Sequence, residues 1–210
     1  QQRGNIGFVM RVMPPHIGTF QELNLPPVLG EIVKAPNGLI LVTGPTGNGK
    51  STTLASMIRF LNETSSFNII TIEDPIEILF ASSKSCFIQR EVGIDTDSFS
   101  TALRAALRMD PDVIMVGELR DIETIDACIK AAETGHLVLS TLHTKNASSN
   151  INRLLGHYPP DAQDVIRQRL AEVLVAPLSM RLTKDKSGEV LLPVVEIMRT
   201  TSTIQACIRE

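Results

Sequence analysis

Cysteine is scarce in this chain. Three cysteines occur in 210 residues, Cys86, Cys128 and Cys207. They are far apart, odd in number, and no two form a CxxC pair. A disulfide framework is excluded on that count, and a structural zinc site has no support; the three read as reduced, small hydrophobic residues of a cytosolic protein. Clustered positive charge is missing too. The formal charge is −3 and no block of lysine and arginine stands out. Phosphate-backbone binding needs such clustering, so the composition opposes nucleic acid as the main ligand. No apolar run approaches the ~18 residues of a membrane span, and no signal peptide is recognisable. An initiating Met is also lacking: Gln1-Gln2-Arg3 reads as the continuation of a preceding domain.

What is present is a core-forming composition and an alternating pattern. Hydrophobic residues make up 43% of the chain, enough to build one α/β domain with some attached structure. Residues 4–13 alternate as a strand would. Pro14-Pro15 and Pro26-Pro27 punctuate the next stretch, with a short helix expected between them and another after Pro27. The run 39–43 is short and continuously apolar, as a buried parallel strand is, and 68–72, 112–116 and 137–142 read as further strands. Helices are expected over about 49–62, 98–109, 122–132, 146–155 and 160–175. Ser98 serves as the N-cap of the second, with Phe99, Leu103, Ala106 and Leu107 on one face. Two strands near 178–183 and 190–198 and a short helix from Ser202 complete the chain. Strands alternating with helices predict a doubly wound, mainly parallel sheet.

The stretch Gly44-Pro45-Thr46-Gly47-Asn48-Gly49-Lys50-Ser51 matches GxxxxGK[ST] throughout, between an expected strand and an expected helix. Glycines let successive backbone N–H groups turn onto phosphate oxygens, and the helix N-terminus adds the positive end of its dipole. Lys50 supplies a point charge for the β- and γ-phosphates. The Ser51 hydroxyl is a hard oxygen ligand suited to Mg²⁺. Thr52 follows in the same turn. A nucleoside triphosphate is the ligand this pattern implies.

Hydrolysis needs a further group beside the γ-phosphate. Strand 68–72 runs into Glu73-Asp74-Pro75-Ile76-Glu77, and strand 112–116 into Gly117-Glu118. In a doubly wound sheet the carboxyl ends of the strands line the ligand crevice, so Glu73 and Glu118 have reason to meet there. A plain polar turn accounts for EDP equally well, because Asp and Pro favour turns. His136 and His143 bracket the fourth apolar strand, about 23 Å apart if the chain is extended. His143 then lies at the carboxyl end with Thr141 and Thr144, within reach of a γ-phosphate; His136 lies at the other end, as structural or interface support. A satisfied structural role suits either. Arginines outnumber lysines 13 to 7. Arg104, Arg108 and Arg120 are near expected strand ends, where an arginine finger or an ordinary surface ion pair would serve.

Together these segments resemble the type II/type IV secretion ATPase superfamily of RecA-like motors, and within it the twitching-motility retraction ATPases. The likeness rests on GPTGNGKSTT at 44–53, TIEDPIE at 71–77, DPDVIMVGELRD at 110–121 and AAETGHLVLSTLHT at 131–144. QREVG at 89–93 and ALRAALRMDPD at 102–112 match as well. The resemblance implies a RecA-like P-loop NTPase core over 31–210 and the tail of an N-terminal PAS-like domain and linker over 1–30. It implies ATP and Mg²⁺, with Glu118 acting on the metal through water and Glu73 positioning or deprotonating the attacking water. His143, and less directly His136, match its histidine box. It also implies a homohexamer with nucleotide between subunits, trans arginines for which Arg3 and Arg11 are candidates, and an inner-membrane platform protein of the type IV pilus as partner. The expected location is the cytoplasmic face of the inner membrane, with membrane contact only through partners and no nucleic-acid partner.

Two features bear on the subfamily. The tetracysteine zinc motif of extension and secretion ATPases is missing. The C-terminal TIQACIRE at 203–210 shares Ile204, Ile208, Arg209 and Glu210 with the retraction motif AIRNLIRE. Asn48, where Ser is usual, and the loop from Leu79 to Phe87 depart from the common pattern. An accessory retraction paralogue and a secretion or extension ATPase are the alternatives within the family; a RecA-like nucleic-acid motor is the alternative outside it.

Overall fold

A computed structural model describes residues 16–144 and 146–210. The strand expected over 4–13, and Arg3 and Arg11, lie outside those residues. Seven strands among the described residues form one sheet: β1 (Gly38–Thr43), β2 (Asn68–Glu73), β3 (Cys86–Glu91), β4 (Val113–Val116), β5 (Leu137–Leu142), β6 (Leu174–Lys184) and β7 (Leu191–Ile197). Their spatial order is β3–β2–β4–β5–β1–β6–β7. Every pairing is parallel except that of β6 with β7. The mainly parallel, doubly wound α/β sheet expected from the alternation is therefore present.

The helices are α1 (Leu29–Ile32), α2 (Lys50–Thr64), α3 (Phe99–Ala106), α4 (Ile122–Glu133), α5 (Ser149–Leu155), α6 (Pro160–Val173) and α7 (Ser202–Arg209). They cover both faces of the sheet, which is why the central strands are apolar on both sides. Along β1, Leu39 and Leu41 join one core layer with residues of α3, α4, α6 and α7. Ile40 and Val42 join the other, with Leu29 of α1 and Leu54, Met57, Ile58 and Leu61 of α2. The period-two alternation of a strand thus feeds two cores from one run.

Several expectations shift. Residues between the two proline pairs form a single turn, not a helix: Leu23 N–H donates to Thr19 and Leu25 N–H to Phe20, and Asn24 then enters the left-handed region at φ 53. Pro26 prevents resumption of the helix just beyond. This described part of the expected 1–30 segment packs on the core, where Phe20 stacks on Phe60 of α2 at 5.3 Å. Helix α1 runs across positions 30 and 31. The helix expected over 160–175 ends at Val173, because Leu174 turns into β6 to pair with Leu39 of β1. An additional strand, β3, pairs with β2 at the sheet edge. Ser98 caps α3 as expected, accepting from Thr101 N–H. Among the described residues no helix is long and apolar enough to cross a membrane.

Candidate active site

The strand order assembles the site. β1 delivers the glycine-rich loop, β2 delivers Glu73, β4 delivers Glu118, and β5 lies between β1 and β4. Carboxyl ends of parallel strands point the same way, so loops distant in sequence open onto one crevice.

Leaving β1, Gly44 adopts φ 142, and a Cβ there would sit 2.3 Å from the Met180 carbonyl oxygen of β6. Only glycine tolerates that approach. Gly49, at φ 83, is the N-cap of α2 and provides no side-chain cap, so the first-turn amides remain for another acceptor. Lys50 opens the helix and is 8% exposed. Its ammonium donates to the Gly44 carbonyl at 2.9 Å and the Pro45 carbonyl at 3.1 Å. Burial pulls the Lys50 pKa down, and the Glu118 carboxylate pulls it partly back. Ser51 and Thr52 lie exposed in the first turn, and both line the crevice with Thr46, Gly47 and Gly49.

Asn48 has a structural explanation. Its Nδ2 donates to the Thr46 carbonyl at 3.2 Å and the Pro45 carbonyl at 3.4 Å, while its Oδ1 accepts from Leu182 N–H at 2.9 Å. β6 continues past the end of β1, whose Thr43 pairs with Ser179. The Leu182 N–H on that edge takes the loop side chain as its partner. A serine is too short to span both ends of this bridge.

Glu73 closes β2 and is 8% exposed. Its Oε1 accepts from Thr71 Oγ1 at 2.7 Å and from Gln89 Nε2 at 3.2 Å. Burial is the largest influence and raises the Glu73 pKa; the two side-chain donors and the Glu77 backbone N–H oppose it, and the Glu77 charge adds to it. Glu118 is more open. Its Oε1 faces His143 Nε2 at 3.2 Å and its Oε2 accepts from Arg120 Nε at 2.9 Å. Arg120 reaches on to Asp74 Oδ2 at 3.3 Å. His143 Nδ1 lies 3.4 Å from the Lys50 ammonium. An ammonium only donates, so Nδ1 accepts and the ring proton belongs on Nε2, directed at Glu118. One polar chain therefore runs Lys50–His143–Glu118–Arg120–Asp74.

The backbone around Glu118 is pinned. Thr141 Oγ1 donates to the Gly117 carbonyl at 2.7 Å, Gly117 N–H to Ile72 at 2.8 Å, and Leu119 N–H to Thr141 at 3.2 Å. A Cβ at 117 would meet the Ile72 carbonyl, the Phe99 ring and Glu73 Cα at 3.5–3.7 Å. Glycine here keeps a second carboxylate away from buried Glu73, whose ionisation a like charge would oppose.

His136 stands apart, its Nδ1 donating to the Ala131 carbonyl at 2.9 Å at the amino end of β5. It supports the α4–β5 turn. Arg104 and Arg108 are exposed on α3 and just after it and do not line the crevice, whereas Arg120 does.

The crevice has a volume of about 560 Å³, within the range of small-ligand pockets. Uncapped amides at a helix start, a buried lysine and left-handed glycines fit a phosphate chain. Among the described residues no group of three or more His, Cys, Asp or Glu could hold a metal ion alone. Magnesium needs no such cage, since it takes one or two protein oxygens alongside phosphates and water. Ser51 and Glu118 fit that requirement.

Residues 9–207 match the family described as Type II/IV secretion system protein. The chain belongs to that family. Within the family, it is 48% identical over 210 residues to the type IV pilus retraction ATPase PilT of Pseudomonas aeruginosa, covering all of this chain and 60% of that protein. It is also 48% identical over 210 residues to the uncharacterised protein YggR of Escherichia coli, covering 64% of it. A crystal structure of the pilus retraction motor PilT with bound ADP superposes with a TM-score of 0.91 at 49% identity, over 95% of this chain and 58% of that one. The chain thus spans less than two thirds of the length of these family members.

Reading the family motifs in the sequence found Lys50, Glu73, Glu118 and His143, and the fold brings all four to one crevice. It missed the residues that hold them. Thr71 stands two positions before Glu73 on the same strand face, a spacing that signals contact. Gln89 is in the matching QREVG segment but on the unrecognised strand β3. The Arg120–Asp74 ion pair joins β-strand ends 46 residues apart, which no local spacing reveals.

Proposed function

We propose that this chain is the ATP-hydrolysing domain of a ring motor that powers type IV pilus retraction. The observation that carries the reading is the convergence of Lys50, Glu73, Glu118 and His143 on a single P-loop crevice in a chain of this family. ATP is the substrate. The glycine-rich loop from Gly44 to Thr52 receives its phosphates, and Lys50 neutralises charge on the β- and γ-groups. Glu73 holds the attacking water and takes its proton: a buried carboxylate with a raised pKa is a stronger base than an exposed one. Ser51, and Glu118 through water, would hold magnesium, which would supply charge stabilisation at the phosphoryl group. His143, between Lys50 and Glu118, senses the γ-phosphate and passes its loss to the end of β5.

The assembly belongs to the same proposal: a homohexamer at the cytoplasmic face of the inner membrane, with Arg3 or Arg11 reaching a neighbour's nucleotide and a pilus platform protein as partner. The N-terminal residues 1–30 form the end of a PAS-like domain and its linker. A second reading, an accessory retraction paralogue, is favoured by Asn48 and by the divergent loop from Leu79 to Phe87. Deleting the gene tests the choice. A hyperpiliated, non-twitching cell supports the retraction motor. Loss of pili contradicts it in favour of extension, and normal piliation with weakened force generation favours the accessory role.

A further inference from the structure

Glu73 has two carboxylate oxygens, and the surroundings treat them differently. Both side-chain donors, Thr71 Oγ1 and Gln89 Nε2, go to Oε1, at 2.7 and 3.2 Å. Gln89 has no freedom to do otherwise. Its Oε1 accepts from Phe80 N–H at 2.8 Å and its Nε2 donates to the Ile78 carbonyl at 2.9 Å. Turning the amide over would set oxygen against a carbonyl and NH₂ against an N–H. The backbone of the loop after β2 therefore selects which end of Gln89 faces Glu73. Glu91, two residues along β3, holds the same loop by accepting from Ile76 N–H at 2.9 Å.

We propose that Gln89, with Thr71, is the positioning residue for Glu73: the pair holds Oε1 and so fixes the orientation in which the carboxylate meets the attacking water. This rests on the reading of Glu73 as the group that handles water in ATP hydrolysis. It adds a residue from the sheet-edge strand to the machinery, and it makes the loop from Ile76 to Phe80 a determinant of how the base is aimed. A movement of that loop would release Gln89 and leave Thr71 as the remaining side-chain donor to Oε1. The donors also act on charge, since each favours the ionised carboxylate against the burial that disfavours it. The other charged groups lining the crevice around Glu73 are Asp74 and Glu77 of the following loop, Lys50 of α2, Glu118 and Arg120 beyond β4, and His143 after β5.

The test uses the full-length assembled protein. Gln89→Glu keeps the shape but removes the donor and adds a like charge. We expect the KM for ATP to stay within about twofold, kcat at neutral pH to fall about tenfold, and the acid limb of the kcat profile to move up by about 1 pH unit. Thr71→Val should move the profile the same way, and Thr71→Ser, which restores the hydroxyl, should return it. A merely structural role would leave that limb in place. Infrared titration of the Glu73 carboxyl, identified by its loss in Glu73→Gln, reads the same shift without turnover. Unchanged midpoints and profiles in Gln89→Glu and Thr71→Val overturn the proposal. If Gln89→Glu does not fold, the Thr71 pair decides alone by the same criterion. A wild-type protein without ATPase activity would refute the proposed function, while a shifted infrared midpoint would still support the positioning.

Discussion

Replacing Glu73 by Gln should make this protein more stable at neutral pH, although it removes the group proposed to activate water. Glu73 is 8% exposed, and burial raises its pKa above the ordinary 4.5. A carboxylate whose folded pKa is raised costs the folded state nothing below its unfolded value. The cost appears as pH climbs from about 4.5 through the raised folded value, because the folded protein must then ionise a group it holds less comfortably than the unfolded chain does. Each unit of elevation corresponds to about 1.4 kcal/mol. Glutamine carries no charge, and its Oε1 can still accept from Thr71 and Gln89. At pH 8 the variant should therefore melt higher, by about 2–4 °C for each kcal/mol of that cost in a domain of this size. Thermal melts of the two proteins across pH are the assay. The difference should vanish near pH 4 and grow to a plateau above neutrality. A lower Tm for the variant at pH 8, or a difference that does not change with pH, would refute the reasoning.

Two further variants probe the glycine-rich loop. Gly44→Ala puts a Cβ 2.3 Å from the Met180 carbonyl at a φ that suits glycine; it should cost about 3 kcal/mol and lower Tm by about 6–12 °C. Asn48→Ser removes the acceptor for Leu182 N–H. It should cost about 1 kcal/mol and speed hydrogen exchange at that amide, with the amides of β1 unchanged.

How far the fold could be read from sequence depended on whether contacts were local. The runs of β1, β4 and β5 are apolar on both faces because helices cover both, so their patterns stood out. β3 did not. It pairs only with β2, and its Gln89, Arg90 and Glu91 are polar because they serve the loop and crevice rather than a core. The start of β6 carries on the helical pattern before it, since nothing near Leu174 announces that Leu39, well over a hundred residues away, will pair with it; Pro177 within the strand adds to the disguise. The site divides in the same way. Lys50 and Ser51 were legible because a loop at one helix start forms the cradle. Nothing in the local sequence shows that Gly117 lies against Glu73 Cα and the Phe99 ring. The partners of Glu73 and Glu118 come from other strands, and only the spatial order of the sheet brings them within reach.

The central claim is that Glu73 activates the water while the glycine-rich loop binds the nucleotide independently of it. Its most direct test is to measure ATP affinity and single-turnover hydrolysis side by side in the wild-type protein and in Glu73→Gln. Affinity should stay within about threefold and hydrolysis should slow by about a thousandfold. Near-normal turnover in the variant would contradict it.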